Sequence, residues 1–503
     1  MVAAGLICLS STGSMPAAVA ATIAKQSKFE SSTCPKTAEP VPALATARCG
    51  YLVVPENRST PNGRTIRLAV AIISATAPTP GADPIVYMAG GPGVDPIGQE
   101  TTVLVDAGVN RNNNLILMDQ RGTLHSKPAL LCPEVDKFNV LAVGLTYDTA
   151  STMRLHLAAT RACRKRLART GVDLGAYNTT ENAADFADLR TALKIPEWNV
   201  YGTSYGTDLA LTYMRQHPQG IRSVILDSVF PPNVASLGAT WASTKEAFDN
   251  IFQACLQQPA CNQRYPNLEA TFTGLVRKLE AHPITTEASP EPGQAPVKVV
   301  IDGGSLVQWL IGIGAQPAGI PAAIYSLANG NPAPVAQVRA AAADPSRTGT
   351  DGTGLFYGVL CSEWVPYQAQ SATLKAGRKA FPRYPTSVLA QPPQLPFMTG
   401  DCKIWNVPKA PAAQRAVTRS KIPTLLFAGS FDARTAPSLA EGAAKTLTNS
   451  HVVIIPGVGH IVVPKSACAQ QVFSSFLANP NAPNTSCVAG LQPTPFTVEP
   501  PTS

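Results

Sequence analysis

The segment Asn199-Val-Tyr-Gly-Thr-Ser-Tyr-Gly-Thr207 decides the fold of this chain. It begins as a short β-prone run, passes through a G-x-S-x-G motif, and continues into a stretch of helical character that ends before Pro218. Between a strand and a helix, this motif forms a nucleophile elbow, whose turn is so tight that the residues two positions before and after the serine must lack side chains. We therefore expect Ser204 to be exposed at the end of a strand. The apolar run at 223–229 predicts the next strand, so that strand, elbow, helix and strand form one βαβ unit.

The rest of the chain shows the same alternation on both sides of the elbow. Apolar runs predict strands at 50–55, 65–73, 84–89, 114–118, 424–428 and 451–455, and helical patterns occupy 149–170, 181–194 and 438–446. The first two runs flank a turn-rich segment, which predicts a hairpin. Strands that alternate with helices predict the α/β class, with a mostly parallel central sheet and helices on both faces.

Changes in composition divide the chain into segments. We predict a signal peptide at 1–20, a first core part at 21–232, a large and mainly helical lid insertion at 233–415, a second core part at 416–489 and a Pro-rich tail at 490–503. The lid prediction rests on helical patterning without a strong alternation of strands and helices. We expect the polar residues 21–35 to be loose, and residues 329–353, which are rich in Ala, Pro and Gly, to be flexible.

The first residues and the cysteines both indicate export. Residues 1–20 are small and apolar, and Ala18-Val19-Ala20 fits a cleavage site, although no Lys or Arg precedes Lys25. The stretch is too short to cross a bilayer, so no stable membrane insertion is expected. Ten cysteines remain after Cys8, and an even number in an exported chain suggests disulfides. Sequence does not fix their connectivity, but they fall into the local pairs 34/49, 132/163, 255/261, 361/402 and 468/487. We predict a secreted or periplasmic protein.

Charge and motifs argue against several other classes of function. The net charge of +8 is modest for 503 residues, and the basic run at 161–169 has no interleaved aromatic residues, so no nucleic-acid partner is expected. Neither C-x-x-C nor H-E-x-x-H occurs, and we expect no metal. Phosphate-binding and dinucleotide-binding glycine motifs are also absent from the sequence, and no cofactor is expected. The oligomeric state is left open.

A serine nucleophile needs a base and a group that orients the base. In α/β-hydrolases the three residues follow one another along the chain as Ser, then Asp or Glu, then His. His460 lies in the glycine-rich loop Pro456-Gly-Val-Gly-His460, directly after a predicted strand. Asp432 follows the preceding strand by a few residues, where its alternative role is to cap the next helix. We therefore predict a catalytic triad of Ser204, Asp432 and His460.

The negative charge that develops on the substrate oxygen needs two backbone N–H donors. One is predicted to be the N–H of Tyr205, the residue after the nucleophile. The other is predicted to be Gly91, in the loop Gly90-Gly-Pro-Gly93 that follows the strand at 84–89. Backbone approaches a substrate closely where no side chain intervenes, which favours a glycine there.

With these pieces the chain resembles the secreted α/β-hydrolases of the tripeptidyl aminopeptidase and proline iminopeptidase group. The resemblance rests on Gly90-Gly-Pro-Gly93, Asp119-Gln-Arg-Gly122, Asn178-Thr-Thr180, Gly202-Thr-Ser-Tyr-Gly206, the segment 424–464, Cys361-Ser-Glu363 and Cys402-Lys-Ile-Trp405. It implies an α/β-hydrolase fold, the triad named above, and release of short peptides or residues from free N-termini. Related enzymes often carry His where this chain has Ala89, which weakens the oxyanion assignment and leaves the triad untouched.

An aminopeptidase must also recognise the ammonium group of its substrate, for which a desolvated carboxylate is suited. Glu363 is the candidate because a neighbouring disulfide would hold it rigidly; its alternative is a lid salt bridge. Trp364, with Phe356 and Tyr357, is a candidate for lining the pocket, although aromatic clusters are more often core. The predicted function is a serine hydrolase acting on a small peptide or ester: an aminopeptidase, or alternatively a carboxylesterase with the same triad. A binding protein on an inactive hydrolase fold is the third possibility.

Overall fold

The computed structural model describes residues 27–498, except 61, 79–80, 82, 147–148, 235–236, 314–316, 345–347 and 391–397. The signal peptide predicted at 1–20 lies outside the described residues. The strands are β1 Lys28–Ser32, β2 Arg48–Pro55, β3 Thr65–Ile73, β4 Ile85–Met88, β5 Leu115–Met118, β6 Trp198–Thr203, β7 Ile221–Asp227, β8 Ile284–Ala288, β9 Val297–Ile301, β10 Thr424–Gly429 and β11 Ser450–Ile455. The α-helices are α1 Thr101–Asp106, α2 Pro133–Ala142, α3 Ala150–Ala168, α4 Thr179–Ala192, α5 Tyr205–Gln216, α6 Leu237–Gln257, α7 Pro259–Arg264, α8 Leu268–Ala281, α9 Gly303–Gly312, α10 Ile320–Ala328, α11 Ala333–Ala340, α12 Thr353–Val359, α13 Gln370–Ala380, α14 Thr386–Leu389, α15 Met398–Trp405, α16 Pro437–Ala444 and α17 Ala467–Ala478.

One large sheet organises the chain. Among the described residues it has nine strands in the order β1-β2-β3-β5-β4-β6-β7-β10-β11. In this order, the neighbouring strands from β5 to β11 pair in parallel, and β1, β2 and β3 form an antiparallel edge. The predicted hairpin of β2 and β3 is confirmed. The predicted α/β-hydrolase fold is confirmed as well, with helices on both faces of a mostly parallel sheet.

The central strands are apolar at nearly every position because both faces of the sheet are covered. In β4, for example, Val86 and Met88 pack into one core, whereas Ile85 and Tyr87 pack into a second core on the opposite face. Successive side chains of a strand point to opposite faces, so a continuous apolar run supplies both cores at once. This arrangement holds the carboxyl ends of the parallel strands rigidly at one edge of the sheet.

Residues 233–415 form helices α6 to α15 and supply most of a further hydrophobic core, which includes Trp241, Phe248 and Phe272. They also contain the hairpin of β8 and β9, which the sequence did not predict because residues 283–296 contain several Pro and Glu residues. Residues 329–353 were expected to be flexible, but they include helix α11, whose Val335 and Ala336 are buried. The prediction missed this helix because its apolar face is made mostly of small alanines.

The expectation that residues 21–35 are loose is wrong for Lys28–Ser32, which form strand β1. This strand pairs antiparallel with β2, from Lys28 opposite Val53 to Ser32 opposite Cys49. The side chain of Phe29 packs against the core, and the disulfide Cys34–Cys49 fixes the chain directly after the strand. An apolar anchor and a crosslink therefore order a segment whose composition is polar.

All five local disulfide pairs suggested by the cysteine positions are confirmed. Disulfides of this number are typical of proteins that fold in an oxidising compartment. A search of the described helices finds none that combines the length and the apolar character needed to cross a membrane.

Candidate active site

The turn between β6 and α5 has the geometry of a nucleophile elbow. Ser204 has φ 55° and ψ −123°, a conformation that costs a residue with a side chain about 1–3 kcal/mol. Its N–H donates to the carbonyl of Asp227 at 3.0 Å, and its own carbonyl accepts the N–H of Thr207 at 2.8 Å. These two bonds hold the strained turn in place from both sides.

The glycines on either side of the serine are required by contact. A Cβ at Gly202 would lie 2.4 Å from the carbonyl oxygen of Gly206, and a Cβ at Gly206 would lie 1.9 Å from the carbonyl oxygen of Met88. Both distances are far below any real contact, and both are to backbone atoms that have no room to move. A larger residue at position 206 would push the elbow away from strand β4, and a larger residue at position 202 would force the elbow itself open.

Asp432 and His460 are in direct contact. His460 Nδ1 lies 2.8 Å from Asp432 Oδ2, and Asp432 also accepts the N–H groups of Arg434 and Thr435, each at 2.9 Å, and the hydroxyl of Thr435 at 2.6 Å. Burial alone would raise the pKa of Asp432, but the neighbouring His460 and these hydrogen bonds hold it well below its ordinary value. The carboxylate is therefore ionised, as an imidazole-orienting group must be.

The loop that carries His460 is fixed by the strand next to the elbow. The carboxylate of Asp227, at the end of β7, accepts the N–H of Val462 at 2.8 Å and the N–H of Val463 at 2.9 Å. Ser228 accepts the N–H of Ile461 at 2.8 Å. Because Asp227 also receives the N–H of Ser204, one residue ties the serine loop to the histidine loop. Sequence reasoning missed Asp227, whose only signal was an acidic residue at the end of an apolar strand.

The three predicted triad residues thus follow the carboxyl ends of the parallel strands β6, β10 and β11. Among the described residues, Ser204 Oγ makes no hydrogen bond with His460. In enzymes without bound substrate this bond is commonly long or poorly aligned, and it tightens when substrate binds. What the structure brings together is the Asp432–His460 pair; Ser204 stands at the same edge, one strand away from Asp227.

The predicted oxyanion donors lie beside the serine. The N–H groups of Tyr205 and Gly91 make no hydrogen bond to any described residue, so both are free to bind a ligand. Gly90 is closer to the nucleophile than Gly91: a Cβ on Gly90 would lie 2.9 Å from Ser204 Cβ and 3.6 Å from Ser204 Oγ. The sequence did not indicate which glycine of this loop lies nearest the serine, because the glycines are adjacent.

A cavity of about 730 Å³ opens beside this loop, between the core and residues 233–415. Its wall includes Gly91 and Pro92 from the core and Phe356 and Tyr357 from α12. Arg434, two residues after Asp432, also lines it. The volume is within the range of small-ligand sites. The expectation that Phe356 and Tyr357 line a pocket matches this geometry.

Glu363 and Trp364 lie elsewhere, and neither is among the residues that line this cavity. Glu363 is only 3 % exposed, and its Oε1 accepts the N–H of Thr179, the first residue of α4, at 2.8 Å. Burial raises the pKa of Glu363 to about 7. Trp364 packs edge-on against Phe230. This environment argues against the predicted contact between Glu363 and a substrate ammonium group, because the carboxylate is enclosed and already serves as a helix N-terminal acceptor.

One group of three described residues brings potential metal ligands within 4.8 Å of one another: Asp95, Asp119 and His125. Burial raises the pKa of Asp119 well above its ordinary value. For Asp95, burial is outweighed by hydrogen bonds with His125 and Asp119, which lower its pKa. Opposite shifts of this kind fit a protonated Asp119 that donates to an ionised Asp95. His125 Nε2 lies 3.4 Å from Asp95 Oδ2, so the group joins the residues that follow the Gly90–Gly93 loop to those that follow β5.

Comparison with known proteins supports the resemblance that the motifs indicated. Residues 393–488, which include Asp432 and His460, match the family described as TAP-like protein. The chain is 28 % identical over 223 residues to the serine protease Hip1 of Mycobacterium tuberculosis, covering 43 % of this chain and 42 % of that protein. It is 30 % identical over 198 residues to a tripeptidyl aminopeptidase of Streptomyces coelicolor, covering 37 % of this chain and 36 % of that one.

A third relative carries a different activity in its name. The chain is 28 % identical over 230 residues to carboxylesterase B of Mycobacterium tuberculosis, covering 43 % of each protein. The chain therefore spans less than half the length of the curated relatives it matches. The predicted resemblance to the tripeptidyl aminopeptidase group is confirmed, and the names of the relatives include both peptidases and an esterase.

Proposed function

We propose that this protein is a serine hydrolase that acts through an acyl-enzyme and releases short peptides or single residues from free N-termini. The observation that carries the proposal is the buried, ionised Asp432 bonded to His460 at the sheet edge where Ser204 stands in a strained elbow. A histidine oriented in this way can accept the serine proton with its other ring nitrogen.

The reaction has two steps. Ser204 Oγ gives its proton to His460 and bonds to the carbonyl carbon, while the N–H groups of Tyr205 and Gly91 bind the negative oxygen. The carbon–nitrogen bond then breaks, and the leaving amine takes the proton from His460. In the second step a water gives its proton to His460 and attacks the acyl carbon; the released serine recovers that proton. Asp432 stays ionised throughout and stabilises the charged imidazole.

The alternative is a carboxylesterase that uses the same residues, which the relative named carboxylesterase B favours. In that case the leaving group is an alcohol. The compartment proposed for either activity is outside the cytoplasm or in the periplasm, in line with the five disulfides.

A labelling experiment tests the nucleophile. We expect a fluorophosphonate probe to label the wild-type protein and the control Ser438→Ala, which changes an exposed serine, and not to label Ser204→Ala. Labelling of Ser204→Ala at the wild-type rate would exclude Ser204 as the nucleophile.

A substrate pair tests the peptidase. We expect a peptide amide with a free amino group to be cleaved at least about 10-fold faster than its N-acetyl form, since loss of a charge-assisted contact costs on the order of 1.5–3 kcal/mol. Equal turnover of both, together with faster turnover of a small neutral ester, would favour the esterase.

A further inference from the structure

The cavity beside the active site has an uncompensated positive charge on its wall. Arg434 lines the cavity and its side chain is exposed to it. Its backbone N–H donates to Asp432 Oδ1 at 2.9 Å, so its main chain is fixed by the carboxylate that orients His460. Among the described residues, its guanidinium has neither a hydrogen bond nor an ion pair.

Because Arg434 is exposed, a ligand in the cavity can reach its guanidinium. An arginine stays protonated at any physiological pH. A charged fork of N–H donors that lines an open cavity is suited to an anionic ligand, because its planar geometry matches that of a carboxylate.

Three acidic residues also line the cavity: Asp136, Asp351 and Asp401. Each has a hydrogen-bond partner of its own. Asp136 accepts the N–H of Gly349 at 3.0 Å, Asp351 accepts from Gln99 at 3.1 Å, and Asp401 accepts the hydroxyl of Thr160 at 2.7 Å. Among the described residues, the carboxylate whose charge acts on the pKa of Arg434 is Asp432, which is not one of the three.

We propose that Arg434 binds a carboxylate of the substrate, next to the bond that is cleaved, and so selects short anionic peptides. The inference rests on the proposed function and refines its substrate class. Because Arg434 lines the same cavity as Gly91, a predicted oxyanion donor, the carboxylate belongs to a residue close to the reacting carbonyl. Its source is either the free C-terminus of a short peptide or an acidic side chain. A neutral ester gains nothing from this group.

The test compares substrates that differ only in that charge. One pair is a short peptide with a free amino group and either a C-terminal acid or a C-terminal amide. A second pair carries Asp or Asn beside the cleaved bond. We expect the wild-type protein to prefer the anionic member of at least one pair by about 10- to 100-fold in kcat/KM, the range of a hydrogen bond to a charged group. The pair that shows the preference identifies the source of the carboxylate.

Three variants assign the preference to Arg434. Arg434→Gln should lower kcat/KM for the anionic member and leave the neutral member within about 3-fold, so that the preference disappears. Arg434→Lys should retain part of it, since the charge stays and the planar fork is lost. Arg419→Gln, an exposed arginine that does not line the cavity, should behave as wild type.

Two failures are distinguishable. If Arg434→Gln lowers both members of each pair equally, or the wild type shows no preference in either pair while cleaving the peptides, Arg434 supports Asp432 and binds no substrate carboxylate. If the wild type is labelled by the fluorophosphonate probe and cleaves none of the peptides, the proposed peptidase activity itself fails. Fluorophosphonate labelling of Arg434→Gln at the wild-type rate confirms that the variant is folded with an intact triad.

Discussion

Two buried carboxyl groups, Asp432 at the sheet edge and Glu363 within residues 233–415, have pKa values that are shifted in opposite directions. Asp432 is 0 % exposed and Glu363 is 3 % exposed. The pKa of Asp432 is held well below its ordinary value, whereas burial raises that of Glu363 to about 7. At both groups burial raises the pKa and the polar partners lower it. Asp432 receives two backbone N–H groups, a hydroxyl and an imidazole, which together outweigh burial. At Glu363 the N–H of Thr179 and the charge of Arg415 do not outweigh burial. The balance between burial and partners therefore decides the direction of each shift.

The largest expected effect separates the two groups by catalysis. Asp432→Asn should lower kcat by about 10⁴-fold, because an amide cannot stabilise the charged imidazole or hold its tautomer. Glu363→Gln, the matched change within residues 233–415, should lower kcat by less than about 10-fold. Steady-state kinetics with a free-amine peptide amide measures both. Equal losses in the two variants would show that Glu363 acts in the reaction.

The second effect is on stability and has a definite sign. Since the folded protein binds the Glu363 proton more tightly than the unfolded chain, whose ordinary pKa is 4.5, stability should fall as pH rises from about 4.5 to about 7. The loss is on the order of 3 kcal/mol. Denaturant unfolding across this range should show a flatter pH dependence for Glu363→Gln. Asp432→Asn is the control, because a carboxyl with a lowered pKa in the folded state contributes no pH dependence there. An unchanged slope in Glu363→Gln would assign the effect to another group.

A third buried carboxylate, Asp227, extends the comparison to a group that binds the backbone of the histidine loop and the hydroxyl of Tyr201. Burial raises its pKa, and the N–H groups of Val462 and Val463 partly oppose this. Asp227→Asn replaces one acceptor oxygen by a donor, so the loop should shift and kcat should fall by about 30-fold, or ~2 kcal/mol. The effect should appear in kcat more than in KM. A change confined to KM would mean that Asp227 shapes the substrate site instead.

The smallest effect concerns the hydroxyl that Asp432 shares with His460. Thr435 donates to Asp432 Oδ2 at 2.6 Å and lies 3.2 Å from His460 Nδ1. Thr435→Val removes this donor at nearly constant volume, and Asp432 keeps its two backbone donors. We expect kcat to fall by about 5-fold, or ~1 kcal/mol. A rise in activity would mean that Thr435 competes with the imidazole for the carboxylate.

Asp432 and Glu363 also differ in how far away their hydrogen-bond partners lie in the sequence, and this difference explains what could be predicted. The backbone partners of Asp432 are two and three residues along the chain, so the loop that holds it is encoded locally. The elbow is equally local, since Gly202 and Gly206 are required by contacts with each other and with β4. Together with apolar runs of strand length, such features were enough to predict the central strands, the elbow and the residues that we assign to the triad.

Features that depend on distant contacts were not predictable in this way. The N–H that binds Glu363 comes from Thr179, which is 184 residues away. Asp227 acts on residues 235 and 236 positions further on. The formation of strand β1 likewise depends on its pairing with β2 and on the disulfide Cys34–Cys49. No pattern within a short window carries such information, because these contacts exist only after the sheet has assembled.

The positions of the five disulfides relative to residues 233–415 have an evolutionary consequence. In each disulfide, both cysteines lie before residue 233, both lie within residues 233–415, or both lie after residue 415. None of the five therefore links residues 233–415 to the rest of the protein. Among the described residues, the covalent links between this segment and the rest of the chain are the two peptide connections at its ends. Replacement of residues 233–415 by a different segment through recombination would leave every cysteine in the rest of the protein with its disulfide partner. Oxidative maturation of the rest of the protein would then proceed unchanged while the substrate preference is rewritten.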